Sequence, residues 1–75
     1  MKRSRRDMDD ARRMRIEQRF VRRTDDRFWR VRQVHRADCI VELENLGTRE
    51  RRLVPVAELR IDWLAVHDQQ EANAA

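Results

Sequence analysis

The stretch Phe28 to Val54 reads FWRVRQVHRADCIVELENLGTRERRLV and decides the fold. Apolar and polar residues alternate through three short runs. Alternation of this kind sends one side chain into a core and the next into water, as in a half-buried β-strand. Trp29 and Val31 share one face; Cys39, Val41 and Leu43 share another, with Glu42 and Glu44 opposite them. The runs break at Arg36-Ala37-Asp38 and at Leu46-Gly47-Thr48. Gly47 is the single glycine of the chain, and its place in a turn predicts a positive φ. The stretch reads as a three-stranded meander.

Working outward toward the N-terminus, Gln18–Arg23 reads as a further strand, with Thr24–Arg27 as the turn into Phe28. Before it, residues 9–17 carry helix formers behind Asp9 or Asp10 as a cap, with acidic residues early and basic residues late, as the helix dipole prefers. The apolar stripe is poor, since Ile16 and Phe20 point away from Met14 and Val21, so the helix expected there is marginal. Residues 1–7, MKRSRRD, read as a mobile basic arm.

Toward the C-terminus, Pro55 should end the strand 49–54, because it has no ladder donor. Val56-Ala57-Glu58-Leu59 suits one helical turn. Residues 60–66 fit two patterns: Val56, Leu59, Trp63 and Val66 have helical spacing, while Ile61, Trp63 and Ala65 alternate as in a strand. Residues 68–75 offer no apolar face and read as a frayed tail. The expected organisation is an arm with a marginal helix over 1–17, one small β domain over 18–67, and the tail.

The chain has 75 residues, so one small core is all it can build. Cys39 is alone, which rules out an internal disulfide and suggests a small buried apolar group. No apolar run reaches the length of a membrane span, and the N-terminus has no apolar segment behind its basic start. A soluble intracellular protein with no membrane partner is expected. His35, Cys39, Asp38 and His67 lack the spacing of a zinc module, and a domain this small has no cleft to activate a Cys-His pair. Neither catalysis nor a cofactor is expected.

Charge points to the partner. Charged residues make up 43% of the chain. Residues 1–36 hold 14 basic and 6 acidic groups, whereas residues 37–75 hold 4 basic and 8 acidic groups. Such asymmetry suits a polyanion. Arg3, Arg5, Arg6, Arg12, Arg13, Arg15, Arg19, Arg22 and Arg23 form a dense series with few acids beside it, and Arg30 and Arg32 continue it along one strand face. Arginine forks two donors onto a phosphate, so these eleven residues are the candidate contacts to DNA or RNA. The competing reading pairs the strand arginines with Glu42, Glu44 and Glu50 across the sheet. Phe28 and Trp29 must face opposite ways, so one of them enters the core and the other is left for a binding surface or a cover.

The order of pieces, and above all WRVRQVH, CIVELENLGTRERRLV and VPVAEL before an apolar residue, resembles an SH3-like small barrel of the Tudor, KOW or Mu-type transposase kind. The resemblance implies about five short strands with a one-turn helix before the last. It also implies binding of DNA, RNA, modified peptides or proteins. An aromatic cage for methylated side chains is not expected, because the chain has no Tyr and needs its few aromatics for the core. A protein-interaction module, acting through the acidic second half or the N-terminal helix, is the alternative function.

Overall fold

A computed structural model describes residues 4–66. Lys2, Arg3, His67 and the tail 68–75 lie outside the described residues. The chain is mainly β: five antiparallel strands form one curled half-barrel sheet behind an N-terminal helix. In chain order the elements are α1 (Arg5–Arg13), β1 (Arg19–Arg22), β2 (Phe28–His35), a 3-10 turn (Arg36–Asp38), β3 (Ile40–Asn45), β4 (Arg51–Pro55), α2 (Val56–Asp62) and β5 (Trp63–Val66).

The strands lie in the order β4-β3-β2-β1-β5. The meander expected from 28–54 is therefore the middle of the sheet, and β1 extends it. The ambiguous segment 60–66 obeys both of its patterns in turn. It is helical to Asp62 and extended from Trp63, where β5 pairs antiparallel with β1. Pro55 closes β4, an edge strand, and caps α2, so its missing N–H interrupts no ladder.

One face of the sheet carries the core. Trp29, Val31, Val41, Leu43 and Val54 project from β2, β3 and β4, Phe20 and Trp63 from β1 and β5, and Ala11, Val56 and Leu59 close over them from the two helices. The Trp29 and Trp63 rings meet edge to face, 5.6 Å between centroids and 81° apart. A bulge between Val31 and Gln33 shifts the register, so that Val34 comes opposite Val41. Simple alternation would have turned Val34 toward solvent.

Three expectations need correction. The helix begins four residues earlier than expected and ends at Arg13. Ser4 rather than Asp9 or Asp10 is its cap, the Ser4 hydroxyl accepting from Asp7 N at 3.0 Å. Residues 14–17 are lost to the helix because the sheet claims the chain there: Glu17 N donates to Val31 O and Val31 N to Gln18 O, both at 2.8 Å. Residues 5–7, read as part of a mobile arm, form its first turn.

Cys39 is buried as expected, but in the left-handed conformation (φ 54°) between the 3-10 turn and β3 rather than in a strand. Gly47 does not take the positive φ. That conformation falls on Arg49 (φ 67°). The β3–β4 turn is instead shaped by the buried Asn45, whose Oδ1 accepts from Gly47 N at 2.8 Å and Thr48 N at 3.0 Å.

Candidate nucleic-acid interface

The arrangement of α1 follows from its own sequence. At 100° per residue, Ala11, Asp7, Asp10 and Met14 fall on one side of the helix, and Arg5, Arg6, Arg12 and Arg13 fall on the other with Asp9. Ala11 is buried and Met14 packs against the core, so the first side faces the protein. The four arginines are all exposed, in two pairs two helical turns, or about 10 Å, apart; Arg13 stands at the border, where it lines the hollow between α1 and α2 with Asp10 and Leu59.

The acids on the inward side are already engaged. Arg60 of α2 donates from Nε and Nη2 to Asp10 Oδ2, at 3.0 and 2.7 Å, and from Nη2 to Asp7 Oδ1. The hydrogen bond from Arg60, helped by that from Ser4, holds the Asp7 carboxyl below its ordinary value of 3.8 against the opposing effect of burial. The same bonds raise Arg60 further. Arg36 adds a second tie, donating from Nη2 to Met14 O at 3.3 Å, where the helix has just ended. Sequence reasoning missed both clasps. The signal available was the i, i+3 spacing of Asp7 and Asp10; Arg60 itself stood in the segment that could be read two ways.

Arg30 and Arg32 are brought together, and onto carboxylates. Arg30 donates through Nε and Nη2 to Glu44 Oε1, at 3.1 and 2.9 Å, and through Nη1 to Glu17 Oε1 at 3.1 Å. Arg32 reaches Glu17 at 3.4 Å and Glu44 at 3.6 Å. Glu44 is only 6% exposed, and the Arg30 hydrogen bonds lower its pKa while Arg30 is raised in turn. Arg51 lies 3.9 Å from Glu42, and Arg52 lies 3.0 Å from Glu50. Arg30 with Glu44 and Arg51 with Glu42 form the cross-sheet pairs weighed for the strand arginines, whereas Arg52 meets Glu50 two residues away on its own segment. Glu17, from the loop before β1, is the partner that the pattern did not suggest.

The remaining candidates divide by face. Arg22 is half-buried, its guanidinium 5.8 Å from the centre of the Trp63 ring and 3.9 Å from Asp25. Arg23 is exposed beside it. Arg19 sits on the outer face of the sheet, the face away from the core. Among the described residues, Arg5, Arg6, Arg12, Arg13, Arg15, Arg19 and Arg23 have no carboxylate within ion-pair distance. Arg3 lies outside the described residues.

The two carboxylates with depressed pKa values make the fold acid-sensitive. Each binds its proton more weakly folded than unfolded, so its stabilisation is complete above its ordinary value, 3.8 for Asp7 and 4.5 for Glu44, and is lost as pH falls through the lowered one. The thermal midpoint, followed by circular dichroism, is expected to be flat above about pH 5 and to drop below about pH 4. An Asp7→Asn variant should start lower at neutral pH and drop less.

Among the described residues, no helix is long and apolar enough to cross a membrane, and no cluster of His, Cys, Asp or Glu is placed to hold a metal ion. Comparison with known protein families, with curated proteins and with solved structures gives no match.

Proposed function

We propose that the chain is a nucleic-acid-binding module in which α1 lays its arginine side along a phosphate backbone. The observation that carries this reading is the separation of charge on α1. Arg60 engages the inward acids, and Arg5, Arg6, Arg12 and Arg13 are left outward with only Asp9 among them. Arg5 and Arg6 also stand in the first helical turn, where the helix dipole disfavours cations. Local stability gives no reason for that placement, and an external polyanion does.

The sheet order, with the last strand beside the first and a short helix leading into it, supports a small barrel of the SH3-like kind as the mount. The strand arginines contribute less than the sequence implied, because Glu17 and Glu44 already hold Arg30 and Arg32. Three carboxylates of the acidic second half are taken up in the same way. Glu42, Glu44 and Glu50 all face arginines of the chain itself.

Binding of this kind is directed at the backbone and responds to salt through counterion release. With Arg15 added to the four on α1, five phosphate contacts correspond to a slope of roughly −4.5 in log K against log salt, or about a 500-fold loss of affinity between 50 and 200 mM salt. An electrophoretic shift of duplex DNA and of RNA across that range tests it. Affinity that stays constant over the range refutes the mechanism.

A further inference from the structure

The outer face of the sheet carries a second surface, opposite the face that α1 and α2 cover. Strand register builds it. Phe20 and Trp29 are paired and point into the core, so the next pair, Val21 and Phe28, points out, and Leu64 of β5 lies directly opposite Val21. Leu64, Val21 and Phe28 therefore form one apolar row across β5, β1 and β2, about 10 Å long. Phe28 is 51% exposed and Leu64 49%.

Beside Phe28 opens a hollow of about 590 Å³, lined by Arg19, Arg27, Phe28, Leu46, Gly47 and Thr48 among others. Arg19 stands two residues from the row, about 7 Å along the strand. It lies directly opposite Arg30, an arrangement that is unfavourable for like charges. Arg30 is neutralised by Glu44 and Glu17, but among the described residues Arg19 has no such partner. Among the described residues, Arg27 meets only Asp25, at 3.9 Å.

An exposed aromatic ring with the unneutralised Arg19 and the exposed, loosely paired Arg27 at its edge matches one nucleotide of an unpaired strand: the base against the ring, its phosphate against the arginines. From this geometry we infer that the Phe28 face binds single-stranded nucleic acid by stacking an unpaired base on Phe28, with Arg19 and Arg27 on the adjoining phosphate. The inference rests on the nucleic-acid reading above and adds a preference to it. A duplex keeps its bases stacked and offers this ring nothing, so the surface distinguishes single from double strands. RNA and DNA share the chemistry.

Fluorescence anisotropy with labelled oligo(dT), oligo(U) and a mixed-sequence duplex tests it on the full chain. Phe28→Ala is expected to weaken both single strands by about ten-fold or more and to leave the duplex within about two-fold. Phe28→Trp should restore the single-strand affinity. A melting curve confirms that each variant is folded, which half-exposure of Phe28 favours. The oligo(dT) and oligo(U) arms show whether the strand is DNA, RNA or either. If Phe28→Ala leaves single-strand affinity unchanged while removal of the α1 arginines abolishes it, this inference fails and the backbone-binding reading stands. If the wild-type chain binds none of the three probes, both fail. If Phe28→Ala turns a dimer into a monomer in sedimentation and does not affect oligonucleotides, the row is a contact between two copies, and the inference is overturned.

Discussion

A Trp29→Ala variant is expected to lose about 3–5 kcal/mol and to be largely unfolded at room temperature. Trp29 is 1% exposed and is the largest fully buried side chain. It meets Trp63 edge to face across the curl of the sheet, and the Arg52 guanidinium lies 5.6 Å from its ring centre on β4. Arg22 covers Trp63 in the same way from β1. A file of four side chains, Arg52, Trp29, Trp63 and Arg22, thus ties both edge regions of the sheet to its middle. Truncating Trp29 removes the link between Arg52 at one end of the file and Trp63, with Arg22 on it, at the other. A chain of 75 residues has a total stability of only about 4–11 kcal/mol, so the loss is of the same size as the whole. Trp29→Phe separates packing from chemistry. It gives up one ring, but it also removes an indole N–H that is buried with no hydrogen-bond partner. Its cost should be about 1–2 kcal/mol. Urea denaturation followed by circular dichroism measures both. A stable, cooperatively unfolding Trp29→Ala protein would show that the core is not organised around the indole pair.

The second large effect concerns affinity. Replacing Arg5, Arg6, Arg12 and Arg13 together with alanine is expected to lower nucleic-acid affinity at about 0.1 M salt by on the order of a thousand-fold and to flatten the salt slope by about 3.6. The fold should survive, because all four side chains are exposed and Ala11, Ser4 and the Arg60 clasp are untouched. Alanine also favours the helix. The control is Arg30→Ala with Arg32→Ala. Both side chains are held by Glu17 and Glu44, so their loss should change the salt slope little while lowering the melting temperature. If the strand pair governs the slope and the helix set does not, the interface has been put on the wrong element.

The sheet was readable because alternation is a local property. Trp29, Val31, Val41 and Leu43 each declare a face within a few residues, and the chain follows them. What the pattern hid was set by contacts distant in sequence. The position of the helix depended on whether residues 14–18 would join α1 or pair with Val31, and two backbone hydrogen bonds to β2 decided it. Gly47 was assigned the left-handed conformation by residue type, but the Asn45 side chain arranges the turn so that Arg49 takes it. The candidate interface was legible as composition and not as geometry. Sequence listed eleven arginines together, whereas the fold sends four to the outer side of α1, two to shared carboxylates, and Arg19 to the opposite face of the sheet. Nothing local announces that Arg60 would meet Asp7 across 53 positions.

That long reach has a consequence for biosynthesis. Translation makes α1 before the segment that clasps it, because the clasp on Asp7 and Asp10 and the β5 strand beside β1 belong to the last tenth or so of the described residues. A nascent chain grown only through β4 has its hairpins but not β5 beside Phe20, and its α1 is held by the Arg36 tie without the Arg60 clasp. Closure of the sheet waits for Arg60 and Trp63 to clear the exit tunnel, and until then Asp7 and Asp10 lack their cation from α2.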